Sequence, residues 1–183
     1  MTTKEALRKK LIADRDALDE KEREKMNAQI LESMRLLTQD VTSIGIYLSF
    51  GSEVDTILPI TSWFYENKKI YVPRVEGKDL VWILLNDFKS LRKSDFGVME
   101  PIDGTPVDIN DIELMFVPLL GYDDDLHRIG YGKGFYDRAL KDYKGRKIGL
   151  AYEISHVETI FPTSSDIPLD VLVTPHEIIT KHR

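Results

Sequence analysis

Glu113-Leu-Met-Phe-Val-Pro-Leu-Leu120 runs directly into Gly121-Tyr-Asp-Asp-Asp-Leu-His-Arg-Ile-Gly-Tyr-Gly-Lys-Gly-Phe-Tyr-Asp-Arg138. The first stretch reads as a strongly buried strand. In the second, glycines at 130, 132 and 134 alternate with side chains. Helical spacing follows over residues 133–143, where Phe135, Ala139, Leu140 and Tyr143 share one side. A strand, a glycine-rich turn and a helix in succession mark an α/β unit. In open parallel sheets, ligands bind beyond the carboxyl ends of the strands, and the loop after Leu120 lies in that position.

Outward from this unit the same alternation repeats. Short apolar runs at 43–49, 69–73, 79–85, 147–152 and 170–174 read as strands, the second ended by Pro73. Residues 54–65 read as a helix, with Pro59 near enough to its start to be tolerated. Turn residues Gly97, Pro101, Gly104 and Pro106 punctuate a less regular stretch over 86–112. The first 38 residues are helical and charged. Thr2 with Glu5 fits a capping box, and Asp19 with Glu22 repeats the signal for a second helix. That helix carries Met26, Ile30, Leu31, Met34 and Leu37 as a core-facing stripe. The expected architecture is α/β, a mostly parallel sheet with helices on both faces in a Rossmann-like three-layer arrangement. With no repeat, low-complexity tract or linker, one domain is expected over residues 1–183.

The chain has 183 residues, 42% of them hydrophobic, enough for one well-formed core. A formal net charge of -6 argues against a nucleic-acid binder and leaves room for a local basic pocket. The absence of cysteine removes disulfides, thiolate catalysis and cysteine-based zinc sites. No stretch approaches the roughly 20 apolar residues that span a bilayer. The N-terminus lacks the apolar middle region of a secretory signal, so a cytoplasmic location is expected.

The glycine loop suits a polyphosphate. Residues without a Cβ let the backbone turn tightly and bring N–H groups close to an anion, and a helix beginning near Lys133 adds further donors. Lys133 supplies a mobile positive charge, Arg128 and Arg138 supply forked donors, and Asp137 is a hard oxygen ligand fit for magnesium. Two common phosphate motifs fail here. Gly134 follows Lys133 where the Walker loop needs Ser or Thr, and the G-x-G-x-G spacing is not the dinucleotide fingerprint.

Arg128-Ile-Gly-Tyr-Gly-Lys-Gly-Phe-Tyr-Asp-Arg138 resembles the signature of the 5-formyltetrahydrofolate cyclo-ligase family, also called methenyltetrahydrofolate synthetase. The likeness extends over nearly the whole chain. Lys4 and Arg8 match the family's N-terminal basic pair, and Tyr47-Leu-Ser-Phe-Gly-Ser-Glu-Val-Asp-Thr56 matches its folate-side strand and the acid after it. Val72-Pro-Arg74, Gly97-Val-Met-Glu-Pro101, Val117-Pro118 and Asp170-Val-Leu-Val-Thr174 follow in family order.

The resemblance implies an ATP- and magnesium-dependent ligase acting on 5-formyltetrahydrofolate, with Lys133 and Arg128 as catalytic groups. It implies that Lys4, Arg8, Arg128, Gly130, Tyr131, Gly132, Lys133, Gly134, Phe135 and Tyr136 bind ATP. By the same likeness Tyr47, Leu48 and Glu53 line the pterin pocket together with Tyr131, Gly132, Lys133, Gly134 and Phe135. Asp137 and Asp170 match its magnesium ligands. Phe135 departs from the tyrosine common in the family, which removes a hydroxyl and keeps a ring. A monomer is expected, with no nucleic-acid or membrane partner.

Other readings fit the residues less well. A sugar-phosphate isomerase or CoA-transferase relative would share the fold type without needing ATP, an argument at fold level only. A phosphate sensor would carry a DNA-binding module, and none is evident. Asp95-Phe-Gly97 lacks a preceding kinase loop. His127, His156, His176 and His182 lack metal-site spacing, and Asp123, Asp124 and Asp125 read as a solvated acidic turn.

Overall fold

The structure, a computed structural model, describes residues 3–181. In chain order the elements are α1 Lys4–Asp16, α2 Glu20–Thr38, β1 Ser43–Ile46, α3 Ile57–Tyr65, β2 Lys69–Glu76, β3 Asp79–Leu85, β4 Leu91–Lys93 and β5 Met99–Pro101. They continue with β6 Leu114–Val117, β7 Gly121–Tyr122, β8 Arg128–Ile129, α4 Phe135–Leu140, β9 Arg146–Leu150, β10 Val171–Val173 and β11 Ile178–Thr180. Seven strands form one sheet in the order β11-β10-β9-β6-β1-β2-β3, while β4-β5 and β7-β8 are separate two-stranded ribbons. Strands β10, β9, β6, β1 and β2 are mutually parallel. Only the edge strands β3 and β11 are antiparallel.

Alternation along the central strands shows why they read as unbroken apolar runs. Leu114 and Phe116 point into a core shared with Ile30 and Met34 of α2 and Ile60 and Trp63 of α3. Met115 and Val117, between and beyond them, point to the opposite face, where Leu140 and Tyr143 pack. A strand covered by helices on both faces has no side left for polar residues. Phe116 is fully buried, and its ring stacks on Trp63 with centroids 5.8 Å apart. A third, smaller cluster joins Leu7 and Leu11 of α1 to Leu120, Ile129 and Ile160.

The helix starts follow the capping chemistry. Asp19 accepts from Glu22 N through Oδ2 at 3.2 Å, as the sequence suggests. Thr2 lies outside the described residues. The cap of α1 is Thr3, whose Oγ1 accepts from Ala6 N at 3.1 Å.

Several boundaries differ from expectation. Strand β2 continues past Pro73 to Glu76 as one arm of a hairpin in which Pro73 faces Trp82. Pairing with β1 ends at Tyr71, so at Pro73 one flank of β2 is free and the missing N–H breaks no ladder there. Helix α3 begins only at Ile57, because Ser49 and Thr56 bond each other's N–H through their hydroxyls at 2.9 and 3.0 Å and hold residues 49–56 as a closed loop. Helix α4 is six residues long and starts after the expected point. Gly132 and Gly134 have φ of 98° and 71°, left-handed values that a helix cannot continue through. Strand β11 was not expected; at three residues it is too short for periodicity to reveal. Among the described residues no helix is long and apolar enough to cross a membrane.

Phe116→Ala removes a fully buried aromatic ring from the centre of the main core. It is expected to lower unfolding stability by about 3–5 kcal/mol, read as a shifted denaturant midpoint.

Candidate active site

A cleft of about 490 Å³ opens beyond the carboxyl ends of β1 and β6. Its walls are the loop after β1 (Tyr47, Leu48, Phe50, Glu53), the β2–β3 hairpin (Pro73, Val75, Leu80) and the tip of the β4–β5 hairpin (Phe96, Val98, Met99). Pro118, the run from Arg128 to Asp137, Lys4 and Arg8 of α1, and Thr163, Ser165 and Asp166 complete it. Separate segments therefore bring to one cavity every residue that the family resemblance assigns to ATP or folate, together with Asp137. Asp170, the other expected magnesium ligand, and Arg138 do not line it.

The cations are held differently. Arg128 is buried, its guanidinium 5.5 Å from the centroid of the Tyr136 ring. None of its nitrogens donates to a protein acceptor among the described residues, and its Nε is buried without a partner. Burial pulls its pKa below the usual guanidinium value, while Asp137, Tyr136 and Asp166 push it back. A buried cation without an acceptor is costly, and the arrangement suits an anionic ligand. Lys133 is exposed, with Nζ 5.6 Å from the centroid of the Phe96 ring. Arg8 donates from Nε to Gly130 O at 2.8 Å, tying α1 to the glycine loop. Lys4 pairs with Asp166 Oδ2 at 2.7 Å.

Asp166 was not singled out by its sequence. Hydrogen bonds from Lys4 and from Thr163 N hold its pKa below the ordinary carboxylate value against partial burial. Asp137 accepts from Ile167 N at Oδ1, 3.0 Å away, and Oδ2 has no partner among the described residues.

Glu53 is 6% exposed, and its Oε1 accepts from Phe50 N at 3.1 Å. Burial pushes its pKa up to about 7, opposed by the Phe50 N–H and the Arg15 charge. Tyr47 donates from its hydroxyl to Val54 O at 3.0 Å, bracing the same loop. Tyr131 stands across from it, its ring 5.9 Å from that of Phe50.

Two expectations are corrected. Arg138 is not a free donor, because it binds Lys78 O at 3.2 and 2.7 Å and Lys133 O at 3.0 Å. It staples the glycine loop to the turn between β2 and β3. Asp170 lies at the amino end of β10, accepting from Lys147 N at 2.8 Å and pairing with Lys147 Nζ at 3.2 Å. That is the end of the parallel strands away from the cleft, so Asp137 and Asp170 do not form one ligand pair. With only six residues, α4 also adds less dipole than a long helix.

The acidic turn is less solvated than expected: Asp123 is buried and accepts from Asp125 N and His127 N at 3.1 and 3.0 Å. Asp123, Asp125 and His127 place one potential ligand atom each within 4.8 Å of the others, although the histidine spacing carried no metal signal. His156 pairs with Asp124, His176 with Glu153, and His182 lies outside the described residues.

Arg15 was also missed by sequence reasoning. It falls at the next position of the Leu7–Leu11 stripe, the buried side of α1, and a charge on an apolar stripe is the signal that marks it.

A sequence model described as the 5-formyltetrahydrofolate cyclo-ligase family matches residues 1–175. The chain is 29% identical over 175 residues to the Haemophilus influenzae 5-formyltetrahydrofolate cyclo-ligase, covering 90% of this chain and 92% of that one. Its fold matches the solved 5,10-methenyltetrahydrofolate synthetase of Aquifex aeolicus with a TM-score of 0.86 and 32% identity, over 98% and 93% of the two chains. The Mycoplasma pneumoniae synthetase shares the fold at a TM-score of 0.79 and 23% identity, over 95% and 99% of the chains.

Glu53 binds its proton more tightly in the folded protein than in the unfolded chain. Its contribution to stability is therefore full below about 4.5 and declines as pH rises to about 7. Glu53→Gln is expected to be as stable as the parent at pH 4 and more stable at pH 8 by up to about 3 kcal/mol, read from denaturation curves at both values.

Proposed function

The chain belongs to the 5-formyltetrahydrofolate cyclo-ligase family and converts 5-formyltetrahydrofolate to 5,10-methenyltetrahydrofolate; we propose that it does so with ATP, in the cleft between Glu53 and the glycine loop. The formyl oxygen at N5 attacks the γ-phosphorus of ATP, and ADP leaves. N10 then attacks the activated formyl carbon and loses its proton. The bond from that carbon to the phosphorylated oxygen breaks, inorganic phosphate departs, and N5, the carbon and N10 close the new ring.

Phosphoryl transfer asks a protein for positioning and charge more than for a nucleophile, and a chain without cysteine can supply both. Arg128 carries the reading: a buried guanidinium with no protein acceptor, in the same cavity as Lys133, Lys4 and Arg8. Arg128 and Lys133 offset charge on the transferring group, and Lys4 and Arg8 hold the remaining phosphates with the backbone from Gly130 to Gly134. Phe135 and Tyr136 flank the nucleotide.

The pterin enters against Tyr47, Leu48 and Phe50, with Tyr131 opposite. Glu53 accepts from the N–H groups of the pterin ring, and its ionised form does so best. The apolar walls exclude water, which protects the phosphorylated intermediate from hydrolysis. A net charge of -6 supports a small-molecule substrate over nucleic acid.

Magnesium fits one carboxylate here. Asp137 lines the cleft and keeps Oδ2 without a protein partner, and hard cations shared with phosphates need only one or two protein oxygens. When bound, the ion supplies positive charge to the phosphate oxygens. Asp170, away from the cleft, is not part of this assignment.

Purified protein with 5-formyltetrahydrofolate, ATP and magnesium is expected to form methenyltetrahydrofolate, followed by its near-ultraviolet band, and to form none without ATP. Lys133→Ala is expected to lower kcat at least about a hundredfold. Product made equally fast without ATP would overturn the reading. Asp137→Asn should raise the magnesium concentration for half-maximal rate about tenfold, near 1.4 kcal/mol; an unchanged requirement removes Asp137 from the metal assignment.

A further inference from the structure

Arg15 touches three walls of the cleft without lining it. Its Nε donates to Ser52 Oγ at 3.0 Å, Nη1 to Leu119 O at 3.1 Å and Nη2 to the Tyr131 hydroxyl at 3.0 Å. These acceptors belong to the loop that carries Phe50 and Glu53, to the chain leaving β6, and to the glycine loop. Ser52 in turn donates to Asp16, so two consecutive residues of α1 grip that loop. Arg15 is 6% exposed. Its three bonds use the planar, directional fork that distinguishes arginine from lysine.

We propose that Arg15 is a positioning residue for folate binding: it locks the Glu53 loop and Tyr131 in register across the cleft and does not itself touch the substrate. The inference rests on the folate reading of that end of the cleft. Without the fork, Ser52 and Tyr131 lose their common anchor, and the carboxylate and the ring that face the pterin move independently. Misplacement of a binding group by an ångström is enough to weaken affinity strongly.

The charge matters separately. Around Glu53 stand Arg15 and Asp16 from α1, Tyr47 from the end of β1, and Tyr131 and Tyr136 from the glycine loop and α4. Arg15 is the cation among them, and its charge favours the ionised carboxylate. Removing it raises the pH at which Glu53 ionises, whereas a lysine keeps the charge and loses the fork.

The test compares Arg15→Lys, Arg15→Met and Tyr131→Phe in the cyclisation assay, with melting curves for each. Arg15→Lys is expected to raise the KM for 5-formyltetrahydrofolate about tenfold with kcat within about threefold of the parent. Arg15→Met should do the same and also move the acid limb of kcat/KM to higher pH, a shift that Arg15→Lys does not show. Tyr131→Phe removes only the accepting hydroxyl on an exposed residue and should raise the same KM severalfold even if Arg15→Met fails to fold. Combined with Arg15→Lys it should add less than its single effect, because both break one link. A lowered melting temperature with folate KM and pH profile unchanged, or fully additive effects, would overturn the proposal. A parent protein that makes no product overturns the folate reading beneath it, a result distinct from an active parent whose Arg15 variants bind folate normally.

Discussion

Leu7 and Leu11 of α1 bury themselves against Leu120, Ile129 and Ile160, and that apolar contact lets the polar residues of the same helix reach the cleft. A charged helix has little reason to stay folded alone. Once docked, its residues at 4, 8 and 15 point toward three different parts of one cavity: Lys4 to Asp166, Arg8 to Gly130 and Arg15 to Ser52, Leu119 and Tyr131. Without the apolar seam these cations would be solvated side chains on a mobile helix. With it, Lys4 and Arg8 become part of the cleft wall, and Arg15 ties the helix to Leu119, 104 residues away in sequence.

The second constraint is electrostatic. Glu53 and Arg128 are both buried, and burial works against the charge on each. Neither is neutralised by a close ion pair of its own. A folded protein keeps such groups when something else compensates, and here ligand atoms are the natural compensation. The result is a site that is poorly satisfied when empty. Affinity then comes from supplying the missing partners, an N–H edge for Glu53 and an anion for Arg128.

Much of this was legible in the sequence, for reasons that can be named. The central strands carry apolar residues at every position because both faces are covered, so β6 was found to within a residue at its start, although it ends at Val117, three residues before the apolar run does; the edge strand β3 matches the run at 79–85. The cap at Asp19 is a local rule obeyed locally. The glycine loop stood out because three glycines, a lysine and aromatic residues lie within six positions of one another. What escaped has a shared cause: it depends on contacts distant in sequence. Arg138 carries the composition of a phosphate ligand, and only the approach of the β2–β3 turn reveals that its donors are taken by Lys78. Asp170 sits in a family-like motif, but its strand runs toward the cleft, which leaves the residue before it at the far end. Asp166 looks like an ordinary surface charge until Lys4 reaches it, and Arg15, although it falls on the apolar stripe of α1, shows its role only through partners at residues 52 and 131.

The two cations nearest the glycine turn illustrate how one site can need both kinds of residue. Arg128 is buried, with its guanidinium over the Tyr136 ring, so packing sets where its charge lies before any ligand enters. Preorganised charge of that kind is effective because nothing has to turn during the reaction. Lys133 is the reverse: flanked by glycines, exposed, and resting by its ammonium over the ring of Phe96 at the tip of the β4–β5 hairpin. A cation over an aromatic face is held by about 0.5–1 kcal/mol at an exposed site, weak enough to yield to a phosphate. In the proposed transfer the phosphoryl group moves from one oxygen to another. A fixed charge can serve only a fixed point on that path, and a tethered ammonium can follow it. Gly132 and Gly134, in backbone conformations that other residues adopt poorly, are what leave Lys133 that freedom, and they are also what delay the start of α4 to Phe135.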